Sequence, residues 1–246
     1  MLSEQRKTHL LALLERDGRV VAKEVAVELA VSEDSIRRDL RELADAGLAR
    51  RVYGGALPVE ASEPPFSERT GVEPVSKARV AQAALPLVEP GMTIALDAGT
   101  TSLALARILP RGARLTIATP SPHVAIAAAE RSDARVILLG GELGRHSMVS
   151  GGALALEAIA RIGADRFLLG ASGVHPEHGV TTDDPDDAAV KRALSAASRE
   201  TYLLVSGEKL GARAQHPVLP LDALAGIVVD PAERDAARAL LGTLVA

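Results

Sequence analysis

The 246 residues contain no cysteine and no tryptophan, and only two phenylalanines and two tyrosines. Without thiols, disulfides, thiolate zinc sites and cysteine nucleophiles are excluded. So few rings argue against recognition of single-stranded bases, a mode that stacks bases on exposed aromatics. No apolar run is long enough to span a bilayer. The opening stretch "MLSEQRKTHLLALLERDG" carries charges inside its apolar run and lacks a small-residue cleavage site. It is therefore not read as a secretion signal, and a soluble cytoplasmic protein is expected. A large charge excess is missing too. The formal net charge of −4 excludes a uniformly basic nucleic-acid binder, but not a local basic face, because the field that matters lies at the contact surface. The length allows one large domain or two modest ones.

Two composition regimes meet near Glu60. Before it the sequence is short, charged and helical in period. After it, alanine-rich helical stretches alternate with compact apolar runs. The stretch "VEASEPPFSERTGVEP", broken by Pro64, Pro65 and Pro74, suits a linker. The expected organisation is a first domain at 1–58, a linker at 59–74 and a second domain at 75–246. In the second domain Met92–Leu96, Leu115–Ala118, Arg135–Leu139, Phe167–Leu169, Tyr202–Val205 and Gly226–Val229 have strand length. Helical patterns lie between or beside them. Strands buried on both faces and separated by helices predict an α/β domain with a mainly parallel sheet. Its ligands belong beyond the carboxyl ends of the strands.

In the first domain, Leu10, Leu13 and Leu14 give one helix an apolar side. Ala22, Val25, Ala26 and Leu29 do the same for a second. Ser32 is placed to cap a third, with Glu33 and Asp34 at the positive end of its dipole. Ile36, Leu40, Leu43 and Ala44 form its buried stripe, and Gly47 is its natural stop. The other side presents Ser35, Arg37, Arg38 and Arg41. Two helices joined by a tight turn, the second showing arginines outward, have the layout of a helix-turn-helix. Strand-like residues flank Gly54-Gly55 and predict a β-hairpin wing, on which Arg50 and Arg51 reach phosphates. Positive and negative side chains balance over Met1–Leu57, so charge counting alone does not separate this reading from a small helical domain with solvated charges.

The stretch "SEDSIRRDLRELADAGLARRVYGGA" closely resembles the signature of the DeoR family of bacterial transcriptional regulators. The match runs through Ser32, Glu33, Ile36, Arg37, Arg38, Asp39, Leu40, Gly47, Arg51, Gly54, Gly55 and Ala56. Ser35 stands where the family usually has threonine. The resemblance implies a helix-turn-helix proper at Val20–Asp39. It also implies DNA contacts from Ser32, Ser35, Arg37, Arg38, Arg41, Arg50 and Arg51.

"TIALDAGTTSLALARIL" reads as a strand ending at Asp97, a loop through Ala98, Gly99, Thr100 and Thr101, then a helix. Glycine admits close approach of an anion, threonine hydroxyls donate to it, and the helix start favours negative charge. The bland reading is a tight turn capped by threonine. Further strand-end loops, "ATPS", "LGGEL" and "GASGVHPEHGVTT", together with Lys191 and Lys209, suit a phosphorylated small molecule. From "PFSER" to "SGEKLG" the chain resembles the DeoR-family sensor domain, which implies a fold like ribose-5-phosphate isomerase and an effector that is a phosphorylated sugar or sugar catabolite. The effector-pocket residues so implied are Asp97, Gly99, Thr100, Thr101, Gly140, Gly141, Gly173, Gly179, Lys191 and Lys209. Pro120 and Ser206 depart from the family pattern, where asparagine and aspartate are usual, and each departure removes a polar contact expected there.

His175, Glu177 and His178 suggest a metal only weakly, since no third strong ligand stands nearby. The run Asp183, Asp184, Asp186, Asp187 is explained by helix capping. No metal and no cofactor is expected. An alternative is an active sugar-phosphate isomerase fused to a DNA-binding domain. That chemistry needs a carboxylate base beside the substrate carbons. "IGADRFLLG" offers only Asp165, followed by Arg166, and Asp97 is the other candidate. A purely structural dimerisation domain would leave the anion-ready loops unexplained. The expected protein is a repressor of sugar or carbon metabolism genes, released from a double-stranded operator by a phosphorylated sugar or related metabolite. A symmetric homo-oligomer is expected, because half-sites mirror protein symmetry.

Overall fold

Apolar residues three and four apart build the first of two units, Met1–Ser62 and Glu63–Ala246. The computed structural model describes residues 3–45, 49–58 and 64–245. The first unit contains α1 (Ser3–Asp17), β1 (Val20–Val21), α2 (Ala22–Glu28), α3 (Glu33–Asp45), β2 (Ala49–Val52) and β3 (Gly55–Pro58). Leu10, Leu13, Leu14, Val25, Ala26, Ile36, Leu40 and Leu43 close one core between the helices. Ala30 takes a left-handed φ of 52° in the turn between α2 and α3. That conformation lets the Val31 N–H bond back to Ala26 O at 3.0 Å. Gly47, the expected stop of the third helix, lies outside the described residues.

The hairpin forms in the register Arg51 opposite Ala56 and Val52 opposite Gly55. The sequence reading did not include β1, which pairs Val20 with Ala56 and makes the wing three-stranded. Gly54 turns the hairpin at φ +83°, and a Cβ on Gly55 would stand 1.9 Å from Val20 O. The wing is thus seated against the helical core through a contact only glycine allows.

The second unit contains α4 (Phe66–Arg69), α5 (Pro74–Ala84), β4 (Thr93–Leu96), α6 (Thr100–Ala106), β5 (Thr116–Thr119), α7 (Pro122–Arg131) and β6 (Arg135–Leu138). Next come β7 (Glu142–Leu143), β8 (Ser150–Gly151), α8 (Gly152–Ile159), β9 (Ala164–Leu169), β10 (Gly173–His175), β11 (Gly179–Thr182) and α9 (Pro185–Ala196). The chain closes with β12 (Ser198–Val205), β13 (His216–Leu219), β14 (Gly226–Val229) and α10 (Arg234–Leu241). All six expected strands join one sheet in the order β14-β12-β9-β4-β5-β6, and every neighbouring pair is parallel. Ile94, Leu96 and Leu168 point into one core, while Ala95, Phe167 and Leu169 point into another. This alternation across a doubly covered sheet is why the strands read as continuous apolar runs.

The structure departs from the sequence reading at two places. Stretches taken as loops form an antiparallel sheet, β10-β11-β13, and a short ladder, β7-β8. The expected linker at 59–74 is also folded for much of its length. Phe66 is buried, its N–H donates to His146 O at 3.0 Å, and its ring stacks on His123 at 4.5 Å. The buried Lys77 Nζ donates to Arg69 O at 3.1 Å and to Val72 O at 2.6 Å, fixing the turn that follows α4. One buried ring and one buried lysine convert a proline-broken segment into part of the second unit. Among the described residues, no helix is long and apolar enough to cross a membrane.

Candidate functional site

The first unit offers an exposed, arginine-bearing helix face. Ser32 precedes α3, and its Oγ accepts the Ser35 N–H at 3.2 Å and lies 2.9 Å from the Ser35 hydroxyl. It caps the helix as expected. Arg37 donates to Glu33 Oε1 at 3.0 and 2.6 Å, one turn back. Arg38 and Arg41 are exposed and have no hydrogen-bond or ion-pair partner among the described residues. Asp39 faces inward, 2% exposed, and takes a two-pronged bond from Arg6 of α1: Nε to Oδ2 at 2.6 Å and Nη2 to Oδ1 at 3.1 Å. The signature's two arginines and its aspartate therefore do opposite jobs.

Arg51 is exposed on β2. The Arg50 backbone pairs with Leu57, and its side chain lies outside what the structure describes. Arg37, Arg51 and Tyr53 line one hollow between α3 and the wing. Tyr53, fully exposed at the turn, was not nominated from sequence. The available signal was an aromatic at a turn tip in a chain with only two tyrosines.

The second unit has a hollow at the carboxyl ends of β4 and β9. From β4 the chain builds β5 and β6 to one side, then crosses to place β9, β12 and β14 on the other. The strand order reverses there, which opens a crevice in such sheets. Asp97, directly after β4, is fully buried. Its Oδ2 accepts the Gly170 N–H at 2.8 Å, directly after β9, and also the Lys191 Nζ. Lys191 Nζ lies 3.4 Å from Asp187 Oδ2, which accepts the Thr182 hydroxyl at 2.6 Å. Other lining residues are Gly99, Thr100, Thr101, Ser147, Ser172, Arg69 and Lys209. Lys209 Nζ donates to Ala171 O at 2.6 Å, and Arg69 Nη2 donates to Ser147 O at 3.4 Å.

Of the ten effector residues expected from sequence, Asp97, Gly99, Thr100, Thr101, Lys191 and Lys209 line this hollow. Gly140, Gly141, Gly173 and Gly179 do not. A Cβ on Gly141 would meet Gly151 O at 2.4 Å, on Gly173 Ala212 O at 2.5 Å, and on Gly179 Leu219 O at 2.3 Å. Close packing of the small sheets accounts for these three. Gly140 is an exposed position after β6. Pro120 and Ser206 also stand outside the lining: Pro120 O accepts the Ser150 N–H at 2.9 Å, and the Ser206 hydroxyl donates to Glu208 Oε1 at 2.8 Å. Sequence reasoning missed Arg69, Ser147, Ser172 and the inward role of Asp187. Asp184 caps α9, accepting the N–H groups of Asp186 and Asp187 at 2.8 and 3.2 Å. His175, Glu177 and His178 gather at the β10–β11 turn, with candidate ligand atoms within 4.8 Å of one another. The Arg213 guanidinium lies 3.2 Å from His178 Nε2, and its charge opposes a cation there.

Burial pushes the Asp187 carboxyl above its ordinary 3.8, with Asp97 adding to the rise and Lys191 and Thr182 opposing it. The folded state thus keeps a proton that the unfolded chain releases. This group's contribution to stability is full below 3.8 and is lost as pH rises through the folded value. Asp187→Asn is expected to flatten that decline. Denaturant melts of both proteins from about pH 4 to about pH 7 measure it, and parallel pH profiles would contradict the assignment.

The sequence has counterparts among known proteins. Residues 6–61 match the DeoR-like helix-turn-helix domain, and residues 73–231 match the DeoR C terminal sensor domain. The glycerol-3-phosphate regulon repressor of Escherichia coli (strain K12) is 33% identical over 215 residues, spanning 87% of this chain and 85% of that protein. The HTH-type transcriptional regulator GlpR of Haloferax volcanii is 33% identical over 216 residues, 87% of this chain and 84% of that one. Ribose 5-phosphate isomerase A of Methanocaldococcus jannaschii shows a distant likeness, 20% identical with a TM-score of 0.40 over 55% of this chain and 53% of that chain.

Proposed function

The chain belongs to the DeoR family of transcriptional regulators, and on that premise we propose that it represses genes of sugar or carbon metabolism until a phosphorylated small molecule releases it. It is a DNA-binding regulator. Its curated homologues are regulators and not enzymes, so the isomerase alternative is not carried further. The E. coli relative is the repressor of a glycerol-3-phosphate regulon, which supports an effector bearing a phosphate.

The observation that carries the effector reading is the convergence of Gly99, Thr100, Thr101, Lys209 and Arg69 on one hollow at the switch point. Hydroxyl donors and two cations lining one hollow suit a phosphate. Lys191, nominated for the same task, is engaged by two carboxylates, and Arg69 and Lys209 are the other cations that line the hollow. In the proposed mechanism the effector shifts the balance between arrangements of the protein that differ in DNA affinity, by as much as its own affinity for them differs. A symmetric oligomer supplies two reading heads for two half-sites.

Thermal-shift screening of sugar phosphates tests this. At a hundred times its Kd, a true effector stabilises the protein by about 2.7 kcal/mol, raising Tm by roughly 5–10 °C. The same compound is expected to release operator DNA. Stabilising compounds that leave DNA binding untouched would refute the coupling.

A further inference from the structure

Resting on the phosphate-pocket reading, we propose that Asp97 and Asp187 form a hydroxyl-reading pole. The effector is then a phosphorylated polyol or sugar whose free hydroxyls face this pair, and a ligand with a carboxylate at that end is rejected. Both carboxylates line the hollow and both are more than nine-tenths buried. In each, Oδ2 is engaged: Asp97 Oδ2 by Gly170 N–H and Lys191, Asp187 Oδ2 by the Thr182 hydroxyl and, at 3.4 Å, by Lys191. In each, Oδ1 is buried without a hydrogen-bond partner.

A buried acceptor with no donor is costly, and two at one site, each an acceptor in its ionised form, call for a ligand that brings donors. Phosphate and carboxylate oxygens bring none at neutral pH, whereas each sugar hydroxyl brings one. Charge points the same way. Asp97 and Asp187 share Lys191, so that cation is not left for an anion, whereas Thr100, Thr101, Arg69 and Lys209 add donor groups to the lining of the same hollow. The hollow therefore combines donor side chains with two unsatisfied acceptors, matching a molecule that carries both a phosphate and hydroxyls.

Calorimetric titration of the full chain with matched probes tests this. The sets are D-ribose 5-phosphate against 2-deoxy-D-ribose 5-phosphate, D-glucose 6-phosphate against 2-deoxy-D-glucose 6-phosphate and 6-phosphogluconate, and glycerol 3-phosphate against 3-phosphoglycerate. Inorganic phosphate and ribitol complete the panel. In any set whose polyol phosphate binds, loss of a hydroxyl is expected to weaken binding about tenfold or more, since a site built to bond a hydroxyl rejects the analogue lacking it. The carboxylate members are expected not to bind. Asp187→Asn is expected to weaken the polyol phosphate by a similar factor while inorganic phosphate binds as before.

Equal binding within the sets, or binding of the carboxylate members, would overturn the proposal using wild-type protein alone. Ribitol binding that is lost in Asp187→Asn, without any phosphate dependence, would remove the phosphate reading and leave the hydroxyl pole standing. Binding by none of the probes would remove both.

Discussion

Arg38→Ala is expected to abolish the shift of operator DNA at protein concentrations that saturate it with the wild-type chain, without a change in melting temperature. Arg38 lies on the outer face of α3, exposed and without a hydrogen-bond or ion-pair partner among the described residues, so no native hydrogen bond or ion pair is lost when it is removed. In this motif the second helix enters the major groove. Loss of one arginine contact there costs about 1–3 kcal/mol at each half-site, roughly tenfold or a hundredfold. Arg37→Ala is the internal comparison. Its guanidinium is already held by Glu33, so removing it discards a cation that is partly neutralised. Fluorescence anisotropy on a duplex selected from random DNA reads both variants, and a salt series separates phosphate from base contact, since loss of a phosphate contact lowers the slope by about 1. Full-strength binding by the Arg38 variant would remove α3 as the reading helix.

The second large effect is on stability. Lys191→Met would leave Asp97 and Asp187 facing each other, both buried, with no cation between them. Removing one partner from a buried ionic group costs on the order of 3–5 kcal/mol, which lowers Tm by roughly 10 °C in a chain of this size. The sign of its pH dependence follows. Without the lysine, the charge that opposes the rise at Asp187 is gone, so the folded Asp187 carboxyl holds its proton still more tightly than in the unfolded chain, and the variant's deficit grows as pH rises and shrinks as pH falls toward the carboxylate range. Circular dichroism melts at acidic and neutral pH measure this. An unaltered melt at neutral pH would mean that the lysine does not hold the pair together.

The main sheet and the reading helix were legible because local pattern and final environment agree. Ile94, Leu96 and Leu168 are apolar and lie between two layers, and the Ile36-Leu40-Leu43 stripe faces a core. The small sheet of β10, β11 and β13 was not legible, because its strands are short and two of them begin on glycines that signal turns. Within the hollow, the loop from Asp97 to Thr101 was readable from its own chemistry. Asp187 was hidden in an acidic run whose capping role belongs to Asp184, and its partners Lys191 and Asp97 meet only in three dimensions. Arg69 was hidden in a proline-broken stretch that only the burial of Phe66 and Lys77 reveals as folded. Gly141, Gly173 and Gly179 looked like ligand-binding glycines, yet their neighbours are backbone oxygens.

The inward clasp of Arg6 on Asp39 carries a practical implication. Positions 35, 37, 38 and 41 make up a surface set of side chains that does not overlap the set anchoring α3 to α1. A library randomised at those four positions, with the clasp untouched, should yield folded proteins with altered target preference, so this helix is a suitable chassis for retargeting.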